Sequence, residues 1–254
     1  MFPDETPTPV TVTPETHAID ALRIMLEKRY TQLPVIDDAS VRGVFSLWSL
    51  ASYLGSGHGP PIAELLVEDV MGSLPQVTVN TSVYEVLDNL EDHEAVLVMS
   101  PSGLQAIATS WDVLQYFFGV ARPYVLLQEI ELGLRLAIDA VIPVTEIEGS
   151  IQASVAKAYR AKGQTPPTSL EEFAFEDYKT LITSRDNWPR FLPLLRSSKP
   201  FVGARLERVR QIRNLVFHFR ADLTVVDYED LVSVRQWLLD RMRTSPSAAT
   251  GVVE

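Results

Sequence analysis

"VRGVFSLWSLASYL" (Val41–Leu54) and "LQAIATSWDVLQYF" (Leu104–Phe117) follow one pattern. Each reads as a strand running into an amphipathic helix, with Ser46 against Thr109, Trp48 against Trp111, Ser49 against Asp112 and Tyr53 against Tyr116. The pairing extends upstream. Val10–Val12 and Val77–Val79 are short alternating stretches, so a strand is expected over each. Apolar residues at helical spacing follow: Ala18, Leu22, Met25 and Leu26 in one, Val83, Val86, Leu87 and Leu90 in the other. "QLPVI" (Gln32–Ile36) and "AVLVM" (Ala95–Met99) then read as further strands. The first half is therefore a duplicated β-α-β-β-α unit of roughly 60 residues, longer than most solenoid repeats, and two copies suggest a pseudo-twofold pair.

At 254 residues the chain has room for two domains. It has no cysteine, which excludes disulfides and thiolate metal sites and fits a reducing cytoplasm. The four histidines are scattered and no carboxylate pair has ligand spacing, so no metal site is expected. "MFPDETPTPV" is acidic and Pro-rich, unlike a signal peptide. The most apolar run, Tyr124–Ile142, is interrupted by Gln128, Glu129, Glu131, Arg135 and Asp139, which argues against a membrane span. The net charge of -11 is uneven. Residues 1–121 hold 16 acidic and four basic residues, while residues 122–254 hold 17 acidic and 18 basic, so a polyanion should prefer the second half.

The repeat resembles a tandem pair of CBS (cystathionine-β-synthase) domains. The resemblance rests on "LPVID" (Leu33–Asp37), the Gly43-Val44-Phe45-Ser46 strand end, "DVM" (Asp69–Met71), and Thr109 with Asp112, and covers about residues 8–120. It implies copies over about residues 8–57 and 64–120, within a domain pair spanning 1–121. It also implies an adenine nucleotide, AMP, ADP or ATP, as a regulatory ligand. The hydroxyls of Ser46 and Thr109 would face phosphate, and Asp112 would bond the ribose. A strand-to-helix turn suits an anion, and a carboxylate accepts two hydroxyl donors. Ser49 stands where the first copy should have its Asp, and Ala106 replaces the second copy's Gly. In the alternative reading Asp112 only caps a helix and the module is a dimerisation scaffold.

The second half reads as all-α, with about five helices. One is expected from Pro123 to Pro143, one over Ser150–Gly163, one capped by a Ser169/Glu172 box, one over about Pro200–Arg220 and one over about Asp227–Met242. "SRDNWPRFLPLL" (Ser184–Leu195) reads as irregular, broken by two prolines, and the tail, 244–254, as disordered. On the Pro200–Arg220 helix, Leu206, Val209, Ile212, Val216 and Phe219 project to one apolar face. Glu207, Gln211, Asn214 and His218 form a polar stripe opposite, with Arg210 beside it and Arg213 and Phe217 between the two.

"LERVRQIRNLVFHFR" (Leu206–Arg220), with the aromatic-rich Phe175–Phe191 upstream, is similar to the HEPN family of helical domains, over residues 122–243. That family's mark, Arg, a polar residue, three variable residues and His, falls on Arg213, Asn214 and His218. The resemblance implies a homodimer that cleaves RNA without metal or cofactor, by attack of the 2′-OH on the adjacent phosphate. His218 would be the acid or base, Arg213 the phosphate clamp, Asn214 an orienting group, and Arg210 a source of RNA affinity. The competing reading is a non-catalytic interaction protein, whose helices bind a second copy or an antitoxin-like partner. The expectation as a whole is an α+β chain: a CBS pair followed by an all-α HEPN-like domain.

Overall fold

A computed structural model describes residues 9–243. The expected disordered tail, 244–254, lies outside them. The chain divides into two compact units, with the boundary between Phe118 and Gly119.

In the first unit each copy builds a hairpin flanked by two helices. The first copy runs α1 (Ala18–Lys28), β1 (Gln32–Asp37), β2 (Ser40–Ser46) and α2 (Leu47–Ser56). The second runs β3 (Gln76–Thr78), α3 (Val83–Asp92), β4 (Ala95–Ser100), β5 (Gly103–Thr109) and then α4 (Ser110–Asp139). β1 and β2 are antiparallel with Leu33 opposite Phe45, and β4 and β5 with Val96 opposite Ala108. Both hairpins carry a bulge at the equivalent place, after Val35 and after Val98, so the duplication extends to an irregularity. The first hairpin turns on Asp38 and Ala39, both at positive φ, as a two-residue turn of this twist requires. Leu33, Val35, Phe45 and Met25 form one core, and Val77, Val86, Val96 and Val98 another.

The expected strand at Val10–Val12 is reduced to a single parallel bridge, Val12 to Val35, whereas β3 pairs with β4 over three residues. Thr13 N–H donates to the Thr16 hydroxyl as Thr78 N–H does to that of Thr81, so both copies turn at the same place and Val12 takes the position of Val77 rather than of Val79.

The second unit is helical. The second half of α4 is followed by α5 (Val144–Ser154), α6 (Ala156–Arg160), α7 (Phe175–Ile182), α8 (Trp188–Leu195), α9 (Lys199–Phe217) and α10 (Val225–Arg243). Ile130, Leu134, Ile138, Tyr178, Phe191, Leu206, Val209 and Ile212 are fully buried at its centre. Several sequence expectations are corrected here. The helix expected from Pro123 starts at Ser110 and passes through the proline. Pro123 cannot donate to the Gly119 carbonyl four residues back. The Tyr228 hydroxyl from α10 reaches that carbonyl instead, at 3.5 Å. Ser184–Leu195, expected to be irregular, contains α8: Pro189 falls in the first turn, where its missing N–H costs nothing, and Pro193 lies inside the helix, within its last turn. The Ser169/Glu172 box does not form: Glu172 accepts from Thr168 N–H at 2.7 Å, and Asp177 caps α7 through Ala174 N–H at 2.8 Å.

α9 ends earlier than expected. Arg220 N–H bonds Leu215 O at 3.1 Å, and Phe219 N–H bonds Val216 O at 3.3 Å. That is a Schellman close with Phe219 in the left-handed position usually given to glycine, φ 50°. Val216 is buried as expected, but Phe219 is 85% exposed rather than in the core.

Candidate functional site

The strand-to-helix turns of the two copies each open onto a cleft. At the end of β5, Asp112 Oδ2 accepts from Thr109 N–H at 2.8 Å and from the Thr109 hydroxyl at 2.6 Å. Thr109 Oγ1 in turn meets Asp112 N–H at 3.4 Å. This reciprocal box caps α4. The chain contains its own control for the motif: Thr224 and Asp227 make the same three contacts, at 2.7, 2.6 and 3.2 Å, at the start of α10. Threonine, two residues and aspartate thus describe a helix cap in both places. Their surroundings differ. Asp227 is buried and paired with Arg208 at 2.7 Å. Asp112 is exposed, and Thr109, Trp111 and Asp112 line a cleft of about 520 Å³ together with Arg29, Tyr30 and Gln32. That size suits a small-molecule ligand.

The corresponding cleft of the first copy measures about 540 Å³ and is lined by Ser46, Trp48 and Ser49, with Asp92, His93 and Glu94. Ser46 is buried and caps α2 in a box with Ser49, so its hydroxyl is used by the helix start. The glycine of the expected pattern has a backbone role. A Cβ at Gly43 would lie 2.7 Å from the Gly72 carbonyl, because Val44 and Gly72 pair through both backbone bonds at 2.9 Å. Ala106, in the second copy, is simply buried.

In the helical unit the motif residues stand in different surroundings. Arg213 lies over the Phe217 ring, 4.6 Å from its centroid, and both line a cleft of about 350 Å³ with Tyr124, Glu131, Arg135 and Phe175. Within that cleft Glu131 is held by Arg135 at 2.8 Å, and Arg135 Nε donates to Tyr178 Oη at 2.7 Å. Burial pushes the Tyr178 hydroxyl well above the usual phenol range. Asn214 is half-buried. His218, placed by the sequence reading within the helix stripe, is instead the residue that ends α9; its ring is exposed and has no hydrogen-bond partner among the described residues. Arg210, expected to contact RNA, is committed elsewhere. It pairs with Glu207 at 2.5 Å and Glu176 at 3.1 Å, and Lys179 joins the same two carboxylates at 2.6 and 2.8 Å. Hydrogen bonds from Arg210 and then Lys179 hold the Glu207 carboxyl down at about 2.

Sequence reasoning missed Arg29 and the Glu131–Arg135–Tyr178 network. A signal for Arg29 existed, because it is one of four basic residues in a strongly acidic half. Among the described residues no group of three or more histidines and carboxylates could hold a metal, and no helix is long and apolar enough to cross a membrane.

A family model for the CBS domain matches residues 5–56, so the chain carries a CBS domain there. Among solved structures, the CBS-domain containing protein ATU1752 from Agrobacterium tumefaciens is 20% identical, with 42% of this chain and 87% of that chain covered, at a TM-score of 0.39. An uncharacterized conserved protein from Pyrococcus horikoshii is 28% identical over 44% of this chain and 86% of that chain, at a TM-score of 0.40. CBSX2 in complex with AMP is 28% identical over 44% and 91%, at 0.37. No curated protein matches the sequence.

Proposed function

We propose that the N-terminal unit is a regulatory module that binds an adenine nucleotide in the Thr109–Asp112 cleft. The observation that carries this reading is the convergence there of a helix start, an exposed Asp112 whose Oδ1 is not needed by the cap, and an arginine, around a space of ligand size. The CBS domain at residues 5–56 supports it, since domains of this family commonly bind adenine nucleotides. Ribose hydroxyls donate to the open Asp112 oxygen, the base lies against Trp111 or Tyr30, and the phosphate takes the Thr109 side. With so few cations nearby, AMP and ADP bind more tightly than ATP. Calorimetric titration with AMP, ADP and ATP tests this: at least one binds the wild type and Asp112→Ala weakens it. Absence of binding by all three removes the reading.

A second reading concerns the helical unit: a HEPN-type, metal-independent endoribonuclease acting as a homodimer, under control of the nucleotide module. One observation favours it. On α9, Arg208 and Arg210 are ion-paired, whereas Arg205 and Arg213 form no ion pair among the described residues and lie against aromatic rings, and Arg213 lines a cleft. Arg213 then clamps the scissile phosphate, Asn214 orients it, and His218 moves the proton of the attacking 2′-OH. Because His218 does not line the Arg213 cleft, a second copy completes it. Incubation of the protein with total RNA and EDTA, beside His218→Ala, decides this. Cleavage by the wild type alone supports it; equal patterns leave the unit as a surface for a second copy or an antitoxin-like protein.

A further inference from the structure

The duplication places two clefts of nearly equal volume in one unit, so size does not distinguish them; charge does. The strand-to-helix turns correspond residue by residue: Ser46 to Thr109, Trp48 to Trp111, Ser49 to Asp112. Each cleft is completed by the segment that ends the first helix of the opposite copy. For the Thr109 cleft that segment is Arg29, Tyr30 and Thr31, after α1. For the Ser46 cleft it is Asp92, His93 and Glu94, at the end of α3. The equivalent positions therefore hold Arg29 in one cleft and two carboxylates in the other.

We infer that Arg29 holds the nucleotide phosphate, and that Asp92 and Glu94 close the twin cleft to nucleotides, so that each chain binds one. This rests on the nucleotide reading proposed above and adds a residue and a stoichiometry to it.

Arg29 is suited to the role. Residues 1–121 contain four basic residues. Arg23 is paired with Asp20 at 2.7 Å and Arg42 with Asp37 at 2.9 Å. Lys28 is not among the residues lining the cleft. Arg29 lines it, is exposed, and forms no ion pair among the described residues. Its backbone is in the left-handed region, φ 58° and ψ 39°, where it closes α1 by donating to Met25 O. That turn ends the helix at the cleft, so Arg29, Tyr30 and Thr31 follow one another along its wall. A guanidinium matches phosphate with two parallel N–H donors. In the twin cleft the same phosphate meets Asp92 and Glu94, and Ser49 offers no carboxylate for the ribose.

The test is calorimetric titration of the full chain with AMP and with adenosine. The wild type should bind one AMP per chain. Arg29→Asn, which tolerates the left-handed backbone, should weaken AMP by about tenfold or more, the loss of a charge-assisted contact, and leave adenosine unchanged. Arg29→Lys should recover most of the AMP affinity. Exchanging the twin cleft's charges, with Asp92→Arg, Glu94→Thr and Ser49→Asp together, should raise the stoichiometry to two. Two AMP per chain in the wild type, an unchanged AMP affinity in Arg29→Asn, equal weakening of AMP and adenosine, or a stoichiometry of one after the exchange each overturns this inference while the nucleotide reading stands. No binding of either ligand or of ADP and ATP by the wild type overturns both.

Discussion

Replacing Glu207 by glutamine isolates one electrostatic contribution to the stability of the helical unit. In the folded protein this carboxylate accepts from Arg210, Lys179 and Gln211 and joins α7 to α9. Its pKa is about 2 against an ordinary 4.5. At about 1.4 kcal/mol per pH unit that difference is roughly 3 kcal/mol in favour of the folded state. The side chain is 30% exposed and its partners 23% and 34%, so solvent screening reduces the value to about 2 kcal/mol. The carboxylate is depressed, so the stabilisation is complete above the unfolded value near 4.5 and is lost as pH falls through about 2. Urea unfolding followed by helical circular dichroism, for wild type and Glu207→Gln at pH 7 and pH 3, measures it. The gap should be about 2 kcal/mol at pH 7 and below about 1 kcal/mol at pH 3. Carboxylates outside this ion-pair cluster titrate alike in both proteins and cancel in the difference. An equal gap at the two pH values would refute the reasoning and assign the effect of the substitution to packing.

Three further outcomes follow from particular residues. Phe219→Gly removes a bulky side chain from a left-handed position that it packs little to justify, so melting should occur a few degrees higher, for a gain of about 1 kcal/mol; a lower melting temperature would show that the exposed ring is held by contacts. Gly43→Ala puts a Cβ 2.7 Å from the Gly72 carbonyl, a backbone atom that yields little, and should cost about 1–3 kcal/mol in urea titrations, with no loss indicating that the Val44–Gly72 pairing shifts freely. Tyr178→Phe leaves the Leu170 carbonyl, Glu131 and Arg135 without the buried hydroxyl that joins them, and should destabilise by about 1–3 kcal/mol; a neutral result would mean that Arg135 satisfies both acceptors alone.

The duplicated unit was legible because period and spacing repeat together; its hairpin strands are buried as continuous runs, as at Leu33–Val35 and Ala95–Val98, rather than on alternate residues. What the sequence hid was set by distant partners. Pro123 reads as a helix start, and nothing nearby announces that Tyr228, more than a hundred residues later, meets the carbonyl it orphans. Arg210 reads as a free cation on a polar stripe until Glu176 from α7 arrives beside Glu207. The end of α9 was missed because its Schellman close uses phenylalanine where the usual signal is glycine. Arg213, Asn214 and His218 share a helical spacing, but that close puts the histidine at the helix end rather than within it. At the Thr109 cleft the motif spacing was legible as a helix cap; Arg29, which lines the same cleft, comes from the other copy, outside any local pattern.

The cap at Asp112 divides one carboxylate between two tasks. Oδ2 is occupied by folding, through Thr109, while Oδ1 is available for chemistry. An asparagine there keeps an oxygen to start the helix and puts an amide where the second acceptor was. Loss of that second acceptor without loss of the cap is therefore one substitution away. The first copy already starts its helix without a carboxylate, through Ser46 and Ser49.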